Sequence, residues 1–434
     1  MSDLPARNIY IDCTQVFFGR HNNGICRVTR NLVKHSDVVQ KLGFGKVYPI
    51  VFYDHQHYVM PMEGLSEGEP PRIFKDVKKT FHWHRTKFLA RFSPGRKQRH
   101  RHRSYLGAWQ TRVARTAEEL LPASARLLSP SNLAKNDIFI LPEILDAAQF
   151  DPLLLFKKKI PLVCIMHDMI PVSHPEYFPS AGPAHRHFKF LAQNADMVVA
   201  ISQYSATCYQ AYENFLKTCG VPVSAKTIAY FHLGCDLDLL DPAKKPSDEI
   251  TAIYQGDSVT FLVCGTIEPR KNHLLVLEAF DRLWKQGHRI KLIFIGGNGW
   301  NSENTVKKIQ EHPEWNKNLF WMSKCSDVDL NYAYQKSDAL IFASHVEGYG
   351  LPLVEALAAR KQVLVSRIKV FFEIVAPEFL VNNFDPASVE DLVAALLRFL
   401  KKEQRPKVEN FVPISWRERA EHFYGLLNLL SRES

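Results

Sequence analysis

The sequence lacks long apolar runs and paired cysteines. No apolar run approaches the ~18 residues needed to cross a bilayer, and the opening MSDLPARNIYID has no secretory apolar core. The eight cysteines form no Cys-x-x-Cys pair, and several lie in apolar runs, which predicts reduced thiols in a cytoplasmic protein. Because the chain has 434 residues, 46% of them hydrophobic, it can build two or three domains, so disordered and disulfide-stapled classes are excluded.

Acidic residues are almost missing from one segment, residues 72–103. This basic segment carries twelve Lys or Arg against Asp76 alone, a local charge of +11 in a chain whose net charge is +10. Aromatic and aliphatic side chains recur along it at helical spacing, a pattern typical of an interfacial helix on anionic lipid. An RNA-binding arm and a solvated charged insertion are the alternative interpretations of the same pattern.

Short apolar runs alternate with amphipathic segments, and this alternation predicts doubly wound parallel sheets flanked by helices. Strands are predicted at 8–12, 46–52, 137–141, 160–166, 196–201, 227–231, 258–264, 290–296, 318–322, 339–344 and 362–366. Helices are predicted at 25–36, 184–194, 203–218, 273–286, 302–311, 352–360 and 388–402, with another beginning at Ser326. The pattern is clearer in the C-terminal half.

A polar, proline-bearing stretch at 241–251 separates two halves, each with the pattern of an open α/β domain. We predict domains at 1–245 and 246–415. Residues 416–434 are predicted to form a terminal amphipathic helix whose candidate partner is the N-terminal domain. Ligands of open α/β sheets bind at the carboxyl ends of the strands, so the predicted site is the cleft between the domains.

A basic turn, CGTIEPRKNH at 264–273, follows the first strand of the C-terminal half. Gly265 and Thr266 end the strand, Arg270 and Lys271 lie beside the start of a helix, and Asn272 suits its N-cap. Two cations beside the positive end of a helix suit a diphosphate. Two exposed basic residues at an ordinary turn are the competing interpretation.

Two glutamates flank a glycine-rich loop in SHVEGYGLPLVEALA, residues 344–358. Gly348 and Gly350 allow close approach of the backbone to a ligand. Glu355 lies about one turn inside the following helix, where it can accept hydrogen bonds from a ribose diol, and Glu347 can reach sugar hydroxyls. Complementing the helix dipole would explain Glu355 alone, but not the loop between the two acids.

Candidates in the N-terminal half and for metals are weaker. His167 and Asp168 end a strand at the mouth of the sheet, where His167 could bond the donor sugar or be structural. Gly24 begins the first clear helix, where its backbone could face a phosphate or the acceptor; a plain helix start is the competing interpretation.

Asp-x-Asp patterns occur at 236–238 and 327–329. The first falls in the predicted linker and the second at a helix start, so no metal is predicted.

Together these motifs resemble the retaining glycosyltransferases of family 4, and among them the O-antigen mannosyltransferase-like group. The family's Glu-x7-Glu spacing and its strand-end GT-x-EPRKN loop both occur here, in order. Further stretches that resemble the group lie at 12–32, 166–178, 195–205 and 230–240. The resemblance covers most of the chain except roughly 55–125, and it implies the GT-B fold, with two facing Rossmann-like domains and an interdomain cleft.

The resemblance also implies roles for individual residues. Arg270 and Lys271 would hold the donor diphosphate, Glu355 the ribose and Glu347 the transferred sugar. The implied catalytic residues are His167, Glu347, Lys271 and Arg270. The implied donor site comprises Gly265, Thr266, Arg270, Lys271, Glu347, Gly348, Tyr349, Gly350, Leu351 and Glu355. Gly24 and Asp168 would belong to the acceptor-side loop.

The activity implied is transfer of a hexosyl group with retention, with mannose from GDP-mannose as the best guess, onto a lipid-linked saccharide or glycan end. No metal or other cofactor is expected. A lipid-linked acceptor favours membrane docking of 72–103 over nucleic-acid binding, and hence a peripheral place on the cytoplasmic face of the membrane. The alternatives are a GT-B-fold sugar-nucleotide epimerase, which the Glu-x7-Glu loop disfavours, and a catalytically inactive GT-B scaffold, which the intact charged residues disfavour.

Overall fold

Two α/β domains that face each other make up the protein. The computed structural model describes residues 6–18, 24–53, 56–62, 124–142, 144, 149–235, 245–402 and 406–431. The basic segment 72–103 and the linker acids Asp236 and Asp238 lie outside these residues. Each predicted strand is present, and its ends differ from the predicted ones by at most two residues.

The N-terminal domain is built on an eight-stranded sheet. Its strands are β1 (Arg7–Asp12), β2 (Phe44–Tyr53), β3 (Gln56–Val59), β4 (Arg126–Leu128), β5 (Ile138–Leu141), β6 (Leu162–Met166), β7 (Met197–Ala200) and β8 (Thr227–Tyr230). They follow the order β4-β3-β2-β1-β5-β6-β7-β8, and β3 and β4 add to the parallel strands as an antiparallel edge. The sequence pattern did not predict β3 and β4, which are short and carry polar residues.

The C-terminal domain is built on a six-stranded, all-parallel sheet. Its strands are β9 (Val259–Cys264), β10 (Ile290–Ile295), β11 (Leu319–Met322), β12 (Ala339–Phe342), β13 (Gln362–Ser366) and β14 (Asn383–Phe384). The order β11-β10-β9-β12-β13-β14 reverses direction between β9 and β12. That reversal is the switch point at which open α/β sheets bind ligands, and both sequence motifs follow one of these two strands.

Helices cover both sheets. They are α1 (Thr14–Phe18), α2 (Gly24–Lys34), α3 (Phe150–Lys157), α4 (Ile170–Ser173), α5 (Gly182–Asn194), α6 (Gln203–Thr218), α7 (Asp248–Ile253), α8 (His273–Lys285), α9 (Glu303–Gln310), α10 (Asp327–Lys336), α11 (Leu351–Ala358), α12 (Lys369–Ile374), α13 (Val389–Leu400) and α14 (Trp416–Leu426). Because helices lie on both faces, central strands such as β6 and β12 are buried along their whole length.

Serine side chains begin several of these helices. A serine hydroxyl accepts a backbone N–H bond at the N-termini of α6, α7, α10, α13 and α14. Asn272 occupies the N-cap position of α8, as expected, but it has a left-handed conformation (φ 59°) and its side chain makes no cap bond. Its carboxamide nitrogen instead donates to Pro386 O at 2.7 Å.

The last helix, α14, packs on the N-terminal domain. Its Tyr424 hydroxyl donates to Leu32 O at 2.9 Å, and Phe423 packs against Phe231 with ring centroids 5.0 Å apart. The chain therefore passes between the domains twice. The two passages touch where Cys235 N donates to Ile414 O at 2.9 Å.

Candidate active site

The loops that follow β9 and β12 lie side by side at the switch point. His345 N donates to Arg270 O at 2.9 Å, and Arg270 Nη1 donates to Val346 O at 3.2 Å. These bonds fix the basic turn of the first motif against the glycine-rich loop of the second. Residues far apart in sequence are thereby placed in one cluster at the carboxyl edge of the sheet.

Glu347 is the centre of this charged cluster. Lys271 Nζ lies 2.6 Å from its Oε1 and Arg270 Nη1 lies 3.0 Å from its Oε2. The Ser344 hydroxyl donates to Oε1 at 2.6 Å, and Glu268 pairs with Arg270 Nε at 2.7 Å. The two cations and the glutamate of the predicted site thus contact one another directly.

Burial and ion pairing act in opposite directions on these groups. Burial raises the pKa of the Glu347 carboxyl, but Arg270 and Lys271 outweigh it and lower that pKa to about 2. Burial lowers the pKa of Arg270, whereas Glu347 and Glu268 raise it above its ordinary value. Glu347 and Arg270 are therefore charged at neutral pH, and an incoming diphosphate meets cations that already have an anionic partner.

Glu355 lies on α11 and has partners from two directions. The Tyr334 hydroxyl donates to its Oε2 at 2.8 Å, and Arg27 Nη1 lies 2.5 Å from its Oε1. The Glu355 side chain is 3% exposed. Arg27 belongs to α2 of the N-terminal domain, so this ion pair spans the cleft. The sequence motifs predicted neither partner, although Arg27 lies only three residues beyond Gly24, which was a predicted site residue.

The loop between the two glutamates contacts the N-terminal domain. Gly348 O accepts hydrogen bonds from Ser202 Oγ at 2.7 Å and Ser205 Oγ at 3.2 Å. A Cβ on Gly348 would lie 2.4 Å from His167 O. Glycine is therefore required here, because the backbone of the N-terminal domain lies too close for any side chain. Gly348 was expected to make room for a ligand, but in the structure the backbone of His167 occupies that space. Gly350 has φ +132°, a conformation that favours glycine.

The N-terminal candidates lie along the same contact. His167 Nε2 lies 2.7 Å from Pro142 O, and burial lowers the pKa of the His167 imidazole, so the ring is neutral and directs this nitrogen at the protein. Asp168 Oδ1 accepts from Ile170 N at 2.9 Å. A Cβ on Gly24 would lie 3.8 Å from Leu351 Cδ1, which places the start of α2 opposite the start of α11.

The other predicted donor-site residues are more peripheral. Gly265 lies beside the Lys271 side chain, with its notional Cβ 3.6 Å from Cε, and Thr266 is exposed. The Tyr349 side chain points away from the cluster, because its hydroxyl donates to Leu233 O at 3.0 Å. Only the backbone of Tyr349 therefore remains in the loop.

Aromatic side chains close one side of the cleft. Trp300 Nε1 donates to Tyr177 O at 2.5 Å, and the Trp300 ring stacks on Phe178 at 5.0 Å. Tyr177 in turn stacks on His345, with ring centroids 5.6 Å apart. These contacts join the loop after β6 to the loops after β10 and β12, so the two domains meet on both sides of the charged cluster.

Within the part of the chain that the structure describes, no three His, Cys, Asp or Glu side chains are grouped to hold a metal ion. Asp329, one of the Asp-x-Asp acids, has a structural role: it completes a capping box with Ser326 and accepts from Ser247 N at 2.7 Å. Among the same described residues, no helix is both long and apolar enough to cross a bilayer.

The fold and the second domain identify the class. Residues 247–413 match the family described as Glycosyl transferases group 1. Solved structures with the same fold include HepE of Anabaena in complex with UDP and glucose (TM-score 0.54, 14% identity, 98% of each chain covered). Sucrose-phosphate synthase of Thermosynechococcus elongatus is another (TM-score 0.56, 13% identity, 98% of each chain). The chain has the GT-B fold, and its C-terminal domain matches the family of group 1 glycosyl transferases.

More particularly, the chain is similar to O-antigen mannosyltransferases, which confirms the predicted family. It is 33% identical over 274 residues to the serotype-specific mannosyltransferase WbdA of Escherichia coli, a match that covers 62% of this chain and 33% of WbdA. It is 26% identical to O-antigen chain mannosyltransferase B of Escherichia coli, covering 59% of this chain and 63% of that protein. The matched part of the chain thus spans about a third of the length of WbdA.

Proposed function

We propose that the protein is a retaining glycosyltransferase that moves a hexosyl group from a nucleotide sugar to a glycan end or a lipid-linked saccharide. GDP-mannose is the proposed donor, and mannose is the transferred sugar. The observation that carries this proposal is the direct contact of Arg270, Lys271 and Glu347 at the switch point of the C-terminal sheet. The mannosyltransferase names of the relatives support the choice of sugar.

The cluster suits a reaction in which negative charge grows on a leaving diphosphate. Arg270 and Lys271 supply fixed positive charge in a site where little water competes, which stabilises that developing charge. The N-terminus of α11 adds oriented backbone N–H groups beside them. Within the protein, Glu347 balances the two cations, so neither is left as an unpaired buried charge.

Glu347 is also the residue best placed for the transferred sugar. When the diphosphate becomes the partner of Arg270 and Lys271, the Glu347 carboxylate is free to accept bonds from sugar hydroxyls. In this proposal the departing phosphate oxygen takes the proton of the attacking acceptor hydroxyl. The glycosidic bond of the donor breaks as the new one forms on the same face, and no metal takes part.

Closure of the two domains excludes water from the donor, which limits its hydrolysis. The bonds from Ser202 and Ser205 to Gly348 O support this role, because they join the N-terminal domain to the loop that carries Glu347. We therefore expect the acceptor to enter from the N-terminal side of the cleft, near Gly24 and Asp168.

A donor screen tests the proposal. Purified protein is incubated with GDP-mannose, UDP-glucose and UDP-N-acetylglucosamine, with and without a lipid-linked glycan, and release of nucleoside diphosphate is measured. We expect acceptor-dependent release of GDP and a product with the anomeric configuration of the donor. Epimerised nucleotide sugar without acceptor would instead indicate an epimerase, and donor binding without turnover on any acceptor would indicate a scaffold.

Membrane docking through the basic segment 72–103, on the cytoplasmic face, is a separate part of the proposal. Its support is the charge of that segment and the lipid-linked acceptor proposed above. Deleting residues 72–103 should reduce cosedimentation with anionic liposomes while leaving donor hydrolysis unchanged. Equal liposome binding by the deletion variant would reject the membrane role and leave the transferase assignment intact.

A further inference from the structure

Glu355 accepts two hydrogen bonds within the protein, and each carboxylate oxygen accepts one of them. Tyr334 donates to Oε2 from a neighbouring helix of the same domain, and Arg27 contacts Oε1 from the opposite domain. We propose that Arg27 and Tyr334 are positioning residues for the ribose of the nucleotide, because together they fix the Glu355 carboxylate in the orientation that receives the ribose diol. This inference rests on the proposed function.

The acceptor capacity of a carboxylate leaves room for the diol. An ionised carboxylate offers about four acceptor positions, two on each oxygen. Arg27 and Tyr334 occupy one position on each oxygen of Glu355. One position then remains on each oxygen, which matches two hydroxyls on neighbouring ribose carbons. Because both oxygens are held, the carboxylate cannot rotate freely, and little entropy is lost when the ribose binds.

Burial makes the two partners necessary. The Glu355 side chain is 3% exposed, and a buried carboxylate without a partner would be costly to keep charged. Arg27 supplies the compensating charge, with 29% of its own side chain exposed at the cleft. Burial raises the pKa of the Tyr334 phenol well above its ordinary value, so the hydroxyl remains a donor at neutral pH. A charged acceptor of this kind makes stronger bonds to hydroxyls than a neutral one.

The position of Arg27 in the N-terminal domain has a consequence for binding. The carboxylate is fully oriented only when α2 and α11 are close together, so recognition of the ribose depends on closure of the cleft. Inorganic pyrophosphate has no ribose and should not depend on Arg27 or Tyr334. A comparison of nucleoside diphosphate with pyrophosphate therefore distinguishes the role of Glu355 and its two partners from that of Arg270 and Lys271.

The test compares a nucleoside diphosphate with its 2′,3′-dideoxy analogue by calorimetry, using GDP or UDP, whichever the wild-type protein binds more tightly. We expect the wild type to prefer the ribonucleotide by at least about tenfold, the scale of one or two bonds to a charged acceptor. Tyr334→Phe and Arg27→Gln should each reduce this preference to within about threefold of unity and leave pyrophosphate affinity unchanged. Arg27→Lys, which keeps the charge, should restore part of the preference.

Controls separate positioning from folding. Lys34→Gln removes a positive charge from an exposed end of the same helix and should leave the preference unchanged. Because Arg27→Gln leaves Glu355 without its counter-charge, its thermal melt is recorded, and Tyr334→Phe, which changes the shape little, provides the second variant. A preference that persists in both variants would overturn the inference.

Three further outcomes are distinct. Tighter ribonucleotide binding by Arg27→Gln would mean that the ion pair competes with the ribose, which also overturns the inference. A wild-type protein that binds neither nucleotide nor pyrophosphate would reject the proposed function instead. Wild-type binding without a preference for the ribonucleotide would reject the diol role of Glu355 and leave the donor site in place.

Discussion

The two sides of the cleft contribute different chemistry. On the C-terminal side, charged side chains on two loops of one sheet meet around Glu347. On the N-terminal side, the described contacts to that cluster come mostly from hydroxyls and a backbone carbonyl, as where Ser202 and His167 meet Gly348. Two residues of the N-terminal domain bring a full charge: Arg27, which pairs with Glu355 across the cleft, and Asp168, whose negative charge helps to raise the pKa of Arg270.

From this difference we expect the C-terminal domain to bind the donor through charged groups. The N-terminal domain should complete the site through close packing against the loop of Gly348. Loss of a charge on the C-terminal side should strongly weaken donor binding even when the cleft can close. A change in fit on the N-terminal side should instead reduce turnover more than donor affinity. The following variants test that division, from the largest expected effect to the smallest.

Lys271→Ala should have the largest effect. Removing one partner of a buried, hydrogen-bonded charge pair should lower nucleoside diphosphate affinity by about 100-fold. Calorimetry measures the affinity, and Lys285→Ala serves as the matched control, because Lys285 pairs with Asp281 on the exposed surface of the same domain. A loss of affinity below about threefold would contradict the assignment of the cluster to the diphosphate.

Gly348→Ala should disrupt the fit between the domains. The added Cβ would lie 2.4 Å from His167 O, so the domains must separate or the loop must shift. Because small misplacements of a reacting group cost up to about 100-fold in rate, we expect a 10- to 100-fold loss of kcat/KM, roughly. Pyrophosphate affinity should be retained, and nucleoside diphosphate affinity should fall by at most about tenfold, because closure of the cleft also orients Glu355.

Gly425→Ala is the control for this substitution, since a Cβ there meets no atom within 4 Å. It lies in α14 and should leave both turnover and the thermal melt close to wild type. An equal loss of pyrophosphate affinity and kcat/KM in Gly348→Ala would show that the glycine acts on the diphosphate directly and would contradict the division between the two sides.

Ser202→Ala should have a smaller effect, and Ser326→Ala provides a comparison. Each serine caps a helix, so each variant should lose about 1 kcal/mol of unfolding free energy. Only Ser202 also donates to Gly348 O. Transfer should therefore fall about fivefold in Ser202→Ala alone. If the two variants are equally destabilised and equally active, the bond from Ser202 to Gly348 O does not contribute to closure.

The effect of pH through Glu347 should be the smallest near neutrality. Its pKa is lowered from 4.5 to about 2, so its contribution to stability is complete above pH 4.5 and is lost as the pH falls towards 2. The melting difference between wild type and Glu347→Gln should be constant from pH 5 to 8 and shrink at lower pH. A difference that changes between pH 5 and 8 would mean that Glu347 titrates there.

The C-terminal domain followed the sequence closely because its strands are buried on both faces. Runs such as those of β9 and β12 are almost purely apolar, and the loop after each one begins a helix, so strand ends and site residues coincide. Arg270, Lys271 and Glu347 could be predicted because they belong to two local motifs at adjacent strand ends.

The remainder depended on contacts that no local pattern contains. β3 and β4 pair with each other across an intervening stretch of chain, and their polar residues weaken the strand signal. Arg27 and Glu355 are 328 positions apart in the sequence. Tyr334 lies in a helix whose sequence resembles that of an ordinary helix packed on the core. The partner of Gly348 could not be predicted either, because it depends on how closely the two domains approach.

The hydrogen bond from Cys235 N to Ile414 O joins the two passages of the chain between the domains. A single passage would allow the domains to bend about any axis and to twist, whereas two passages joined side by side restrict twisting. We therefore expect the domains to open and close by rotation about an axis near this bond. Such a rotation would bring Arg27 back to Glu355, and Ser202 back to Gly348, at each closure.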